Sequence, residues 1–171
     1  EVDTLGEEEW TDIVIQFRDA TLYQTWSYGK EQWGEKCMSH LVLRKKNVLI
    51  AATLVRIVHV PIFNNFIAYV YRGPMWKKKG GQELPEVLTQ MLRAIVHEYV
   101  QKRRLFVKIV PYEFQYSDNK INNIYKEAGF SKDTSAYKKY TYLVDITPPI
   151  DELRKGLSKK WRENLRRSQR G

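Results

Sequence analysis

The chain has 171 residues, 43% hydrophobic and 29% charged, with 29 Lys and Arg against 20 Asp and Glu for a net charge of +9. That length suits one domain with a real core, no apolar run is long enough to cross a membrane, and one Cys with three scattered His excludes an internal disulfide and disfavours a zinc set. Charge is uneven: residues 1–12 hold six acids and no base, whereas Asp151–Gly171 hold eight bases against three acids, a polarity that points to an anionic partner such as RNA, a phosphate-bearing substrate or a membrane surface.

In chain order, Glu7 to Phe17 reads as a helix with Trp10, Val14 and Phe17 on one face. Tyr23 to Trp33 is a second helical stretch, ended by Gly34. The period then changes from helical to alternating. His40 to Leu43 and Val48 to Val60, joined through Asn47, carry a hairpin signal. Pro61 to Asn65 reads as a turn, and Phe66 to Arg72 as a strand stopped by Gly73-Pro74. A Lys/Gly loop, Lys77 to Gln82, leads to Pro85, a residue suited to the first helical position. Val87, Leu88, Met91, Leu92, Ile95, Val96 and Tyr99 then make one apolar helix face. Leu105 to Val110 is a short strand ended by Pro111, Asn119 to Glu127 a helix closed by Gly129, and Tyr140 to Ile146 a last strand before Pro148-Pro149. The basic segment Asp151 to Gly171 follows, with Leu153, Leu157, Trp161 and Leu165 every four residues as the stripe of one amphipathic helix.

This order, α-α-β-β-β-α-β-α-β-α, predicts an α/β fold: a mixed sheet flanked by helices, arranged like an acyl-CoA N-acyltransferase (GNAT-like) domain over 1–147, with a basic connector helix over 148–171. An acetyl-CoA enzyme of that class needs a short glycine loop whose backbone amides and helix N-terminus hold the pyrophosphate. Arg72 to Gln82 has glycines and charge without that spacing, and Pro74 removes one amide donor. Trp26, Lys30 and Trp33 share a helical face and could flank an anionic or sugar-bearing group. The alternative is that both indoles pack inward and Lys30 reaches into solvent. His40, His59 and His97 read as structural, Glu113 as a strand-end carboxylate or a turn residue, and Cys37 as a buried thiol. No nucleophilic triad can be drawn.

Several segments resemble the FemAB family of peptidoglycan-bridge aminoacyltransferases and their tandem GNAT-like relatives. They are Tyr23-Gln24-Thr25-Trp26-Ser27-Tyr28-Gly29, Tyr71-Arg72-Gly73-Pro74-Met75-Trp76, Val110-Pro111, Ala128-Gly129-Phe130, and Tyr140 to Ile146 running into Leu157-x-x-x-Trp161-Arg162-Glu163-Asn164-Leu165-Arg166-Arg167-Ser168. The resemblance implies an N-terminal half that works with a second GNAT-like half beyond Gly171, and a chain that is inactive alone. It implies transfer of an aminoacyl group from aminoacyl-tRNA, with no tightly bound cofactor, to an amine of an anionic cell-wall or surface-polysaccharide precursor. Lys30 matches the family's phosphate-binding lysine, with Trp26, Trp33, Tyr28 and Arg72 as further substrate-binding candidates. Arg162, Arg166 and Arg167 become candidates for tRNA or phosphate contact. The expected location is the cytoplasm or the inner membrane surface. Two other readings stay open: a stand-alone acetyl-CoA-dependent N-acetyltransferase, and a non-catalytic RNA- or partner-binding module that uses the basic helix.

Overall fold

Lys46 and Asn47 both adopt positive φ, 50° and 64°, the pairing that a two-residue hairpin needs to follow strand twist. They join β1 (Met38–Lys45) to β2 (Val48–Val60) in an antiparallel pair closed at Lys45↔Val48. The computed structural model describes residues 1–60, 65–112, 119–133 and 145–169, so the expected turn at Pro61 lies largely outside the described residues. β3 (Asn65–Tyr71) continues antiparallel to β2, and β4 (Phe106–Val110) runs parallel to β3, giving the order β1-β2-β3-β4.

A parallel neighbour requires a crossover, and α3 (Pro85–Ile95) supplies it, with Pro85 in its first turn. The helix runs on as a π-helical stretch, Val96–Lys102. Leu88, Met91, Leu92, Ile95 and Tyr99 are fully buried against the sheet face carrying Ala51, Val55, Ala68 and Val70. α4 (Asn119–Glu127) adds Ile124 to this core. The opposite sheet face is covered by α1 (Glu7–Val14) and α2 (Trp26–Trp33). Trp10, Ile13, Val14 and Phe17 pack there on Val42, Ala52 and Leu54. α1 stops at Val14, so Phe17 reaches this core from the segment that follows the helix.

The first residues tie down the edge strand. Val2 bridges to Leu41, and the Asp3 carboxylate accepts from Ser39 Oγ at 2.8 Å, from the His40 amide at 2.7 Å and from Arg103 Nη2 at 2.8 Å. Tyr99 OH meets Ser39 Oγ at 2.8 Å, and burial pushes that phenol well above its ordinary range. Arg103 Nε also donates to Glu98 at 2.7 Å. Every polar atom of this group thus has a partner at the point where the π-helical stretch meets the sheet edge.

By chain contacts the protein forms two units, Glu1–Lys132 and Asp133–Gly171. In the second, the expected final strand lies outside the described residues up to 144, and Asp145–Thr147 are irregular. The Asp145 carboxylate accepts there from the backbone and hydroxyl of Thr147. The basic segment is two helices rather than one: α5 (Ile150–Gly156) and α6 (Lys159–Ser168). Leu157 is extended (φ −68°, ψ 145°) and Ser158 caps α6, its Oγ accepting from Trp161 N. The four-residue spacing therefore misleads. Gly156 and a Ser with N-cap preference sit in the middle of the stripe, and the local capping preference wins over periodicity.

Candidate functional site at the end of the third strand

β3 does not end in a simple turn. Arg72 takes φ 54°, uncommon for a residue with a side chain. A cis Gly73-Pro74 bond follows, and Met75 returns to pair with Ala52 through two backbone hydrogen bonds of 3.0 and 2.9 Å. Between that pair and the Arg56↔Tyr69 pair, the side chain of Gln24 takes the place of ladder bonds. Its Oε1 accepts from Leu54 N at 2.8 Å, and its Nε2 donates to Tyr71 O at 2.8 Å and Leu54 O at 3.3 Å. Its own carbonyl accepts from Trp10 Nε1 at 2.8 Å. Gln24 is completely buried, and a Cβ placed on Gly73 would come within 2.8 Å of its Nε2. Asp19 fastens the next stretch: its carboxylate accepts from the amides of Trp76 at 2.9 Å and Lys77 at 3.2 Å. Burial pushes Asp19 above the ordinary carboxylate value, against the pull of those amides.

Around this fork stands a group of half-buried aromatic side chains. Tyr23 lies edge-on to Tyr71 at 4.6 Å and to Tyr28 at 5.0 Å. Tyr28 lies edge-on to Trp33 at 5.8 Å, and Tyr69 is tilted against Tyr71 at 5.6 Å. The Arg72 guanidinium sits 5.9 Å from the centre of the Tyr71 ring. Arg56, opposite Tyr69 in the register, adds a second cation. Burial, then the neighbouring phenols, push Tyr28 and Tyr69 above their ordinary values, while Arg56 opposes both. These hydroxyls are therefore neutral donors at physiological pH. Two guanidiniums and several phenols offer donors to an anion and ring faces to a planar or sugar-like group.

Of the sequence-derived candidates, Tyr28, Trp33 and Arg72 come together here. Trp26 turns the other way, its ring 5.7 Å from His40 and its indole nitrogen buried without a partner. Lys30 is exposed, and its ammonium pairs with Glu35 at 3.2 Å and Glu7 at 3.6 Å rather than with an indole. Glu35, then Glu7, raise its pKa. Arg162, Arg166 and Arg167 lie exposed on α6, the last two in its final turn, where cations favour the helix dipole. His40 is structural: Nε2 accepts from Leu5 N at 3.0 Å, and the ring lies 5.4 Å from Trp10. His59 and His97 are exposed and Cys37 is half-buried. Glu113 lies outside the described residues. Among the described residues no group of three or more His, Cys, Asp or Glu is placed to hold a metal, and no helix is long and apolar enough to cross a membrane.

Sequence reasoning missed Tyr23, Tyr69, Tyr71, Arg56 and Gln24 as parts of the site. The alternation of Tyr69 and Tyr71 up to Arg72 was a usable signal, since it puts two phenols on one sheet face beside a strand end. Gln24 gave none.

The stretch from β3 to α3, which lacks the glycine spacing of a coenzyme A loop, is long. α3 starts at Pro85, and residues 72–84 separate it from β3. β3 and β4 stay paired from Ile67↔Phe106 to Tyr71↔Val110, extended by Arg72 N donating to Val110 O at 2.7 Å.

No protein-family model matches the chain, and no curated protein matches it. Solved structures do. FemX superposes with a TM-score of 0.71 at 16% identity over 97% of this chain. The fold is GNAT-like. An aminoglycoside acetyltransferase from an uncultured soil metagenomic sample, solved with trehalose, gives a TM-score of 0.55 at 11% identity over 84% of this chain and 96% of its own. A predicted acetyltransferase from Clostridium acetobutylicum, solved with acetyl-CoA, gives 0.52 at 13% identity over 82% of this chain and 95% of its own. The chain spans 42% of the length of FemX.

Proposed function

We propose that this GNAT-like chain is the acceptor-binding half of a FemAB-like transferase, which moves an aminoacyl or acyl group onto an amine of an anionic cell-wall or surface-polysaccharide precursor. The supporting observation is the tyrosine and arginine group at the end of β3, where Arg72 stands over Tyr71, Arg56 lies opposite Tyr69, and Tyr23 packs edge-on to Tyr71 and Tyr28. The likeness to FemX along nearly the whole chain favours this reading.

The chemistry asks little of side chains. The acceptor amine attacks the carbonyl carbon of an aminoacyl ester, a C–N bond forms, the ester C–O bond breaks, and the sugar hydroxyl leaves with a proton while the amine loses one. Holding amine and ester in register supplies most of the acceleration, and donors beside the carbonyl oxygen stabilise its developing charge. In this reading Arg72 and Arg56 hold the precursor's anionic group, neutral phenols donate to its polar edge, and Lys30 joins by leaving Glu7 and Glu35. The arginines of α6 meet the tRNA or another phosphate. The acting protein works in the cytoplasm, where both substrates occur.

Calorimetry with a soluble, phosphate-bearing cell-wall precursor tests this. Wild type binds it, and Arg72→Met weakens binding at least tenfold, the scale of one charge-assisted hydrogen bond. Equal affinity in both proteins rejects the assignment. A second reading, an acetyl-CoA-dependent N-acetyltransferase, draws on the two acetyltransferases matched over nearly their full length. Acetyl-CoA that raises the melting temperature of the chain and protects the amides of residues 80–84 and 86 from exchange would favour it over the first. The 72–84 separation between β3 and α3 counts against that outcome.

A further inference from the structure

We propose that Gln24 is a positioning residue, which sets the direction of the Arg72 guanidinium through the backbone of the strand end. Arg72 sits at positive φ, a conformation that persists only where its surroundings over-determine it. Three contacts do so. Val110 O accepts from its amide at 2.7 Å, Thr21 Oγ1 donates to its carbonyl at 3.4 Å, and Gln24 Nε2 donates to the preceding carbonyl, Tyr71 O, at 2.8 Å. Gln24 also fills the space beside Gly73, the residue after Arg72. It is thus in contact with the backbone on both sides of Arg72, and it connects that point to β2 through Leu54 and to α1 through Trp10.

A glutamine amide suits this place for a specific reason. It has both an acceptor and donors on one planar group, so it pairs with Leu54 in both directions as a strand would and still has a hydrogen for Tyr71 O. A shorter or apolar side chain leaves buried backbone groups unpaired, and they recover partners only if the strand end moves. Movement there turns Arg72 away from Tyr71 and Arg56. The inference rests on the reading of Arg72 as an anion-binding residue.

Inorganic pyrophosphate is the probe, with binding followed by calorimetry and the tyrosine group by near-ultraviolet circular dichroism. Gln24→Met and Gly73→Ala disturb the contact from its two sides, and Gly73→Ala carries the test if Gln24→Met does not fold. Leu88→Ala, on the other face of the sheet, controls for lost stability. The expected result is that both fork variants weaken pyrophosphate roughly tenfold and change the tyrosine signal, while Leu88→Ala melts lower but binds as wild type. In a Gln24→Ala background the added methyl of Gly73→Ala should have no further effect on binding, because its obstacle is gone. Fork variants that bind like Leu88→Ala while Arg72→Met is weakened overturn the role of Gln24 alone. An Arg72→Met that binds as wild type, or a wild type that does not bind, overturns the anion-binding reading together with it.

Discussion

The two faces of the sheet are held together by different means. Under α3, the face carrying Ala51, Val55, Ala68 and Val70 is closed by five apolar or aromatic residues at helical spacing, all fully buried. Beneath α1 and α2 the apolar packing is similar near Val42 and Leu54, but at the strand end it gives way to single polar side chains, Gln24 and Asp19, which bond to backbone. The first face is redundant, because each residue shares its contacts with several others. The second is not, because no neighbour can supply the hydrogen bonds of Gln24. A region that must place charges and phenols beside solvent cannot be closed with apolar volume alone.

The largest effect expected from this contrast is at Gln24. Gln24→Met leaves the Leu54 amide and the carbonyls of Leu54 and Tyr71 without their buried partner, at about 1–3 kcal/mol for each group that finds no substitute. Urea unfolding should show a loss of several kcal/mol, and a loss below about 1 kcal/mol would mean that the fork rearranges freely. Leu88→Ala should cost roughly 2–5 kcal/mol through lost packing and a residual cavity, by the same measurement, without altering the tyrosine signal. A change in that signal would show that the two faces are coupled.

A smaller effect is expected with pH. Burial lowers the pKa of His40 below its ordinary 6.5, so the folded state binds this proton less readily than the unfolded chain. The nearby carboxylates of Asp3 and Glu9 oppose the shift, and the N-terminal ammonium adds to it. Its contribution to stability is complete above the unfolded value and is lost as pH falls below 6.5 through the folded one. Protonation also removes the acceptor for Leu5 N. Wild type should therefore unfold at lower urea concentration as pH drops from 7 towards 5, and His40→Gln, which keeps an acceptor, should flatten that slope. An unchanged slope assigns the pH response to other groups.

The smallest effects on stability belong to exposed charges. Lys30→Met should leave the melting temperature unchanged, since its ion pairs with Glu7 and Glu35 are solvent-screened, yet should weaken precursor binding if Lys30 takes the proposed part. Reversing Arg162, Arg166 and Arg167 to Glu should likewise spare the fold and, if these arginines meet tRNA as proposed, reduce the salt dependence of that binding. A fold that melts lower on this change would mean that α6 is held by those charges.

Much of the architecture is legible in the sequence. The hairpin through Asn47, the helix start at Pro85 and the helix Asn119–Glu127 all stand as read. Each is marked by local chemistry: a turn residue tolerant of positive φ, a proline at a first turn, an apolar period closed by Gly129. Part of the candidate site was legible too, because Tyr28 and Arg72 belong to segments with a family resemblance and Trp33 shares a helical face with Trp26 and Lys30. The basic segment failed as a single helix because the spacing of Leu153, Leu157, Trp161 and Leu165 continues across a cap at Ser158 that local sequence had already favoured.

What the amino-acid order determined by itself was the succession of main elements from α1 to α4 and therefore the GNAT-like layout, since periodicity and turn residues act between near neighbours. What only the tertiary structure decided was the fork at Arg72. Gln24 lies 30 positions from Leu54 and 47 from Tyr71 along the chain, and a side chain that replaces a strand's hydrogen bonds at such separation has no period to read. Its partners exist only once the sheet, α1 and the returning Met75 are in place.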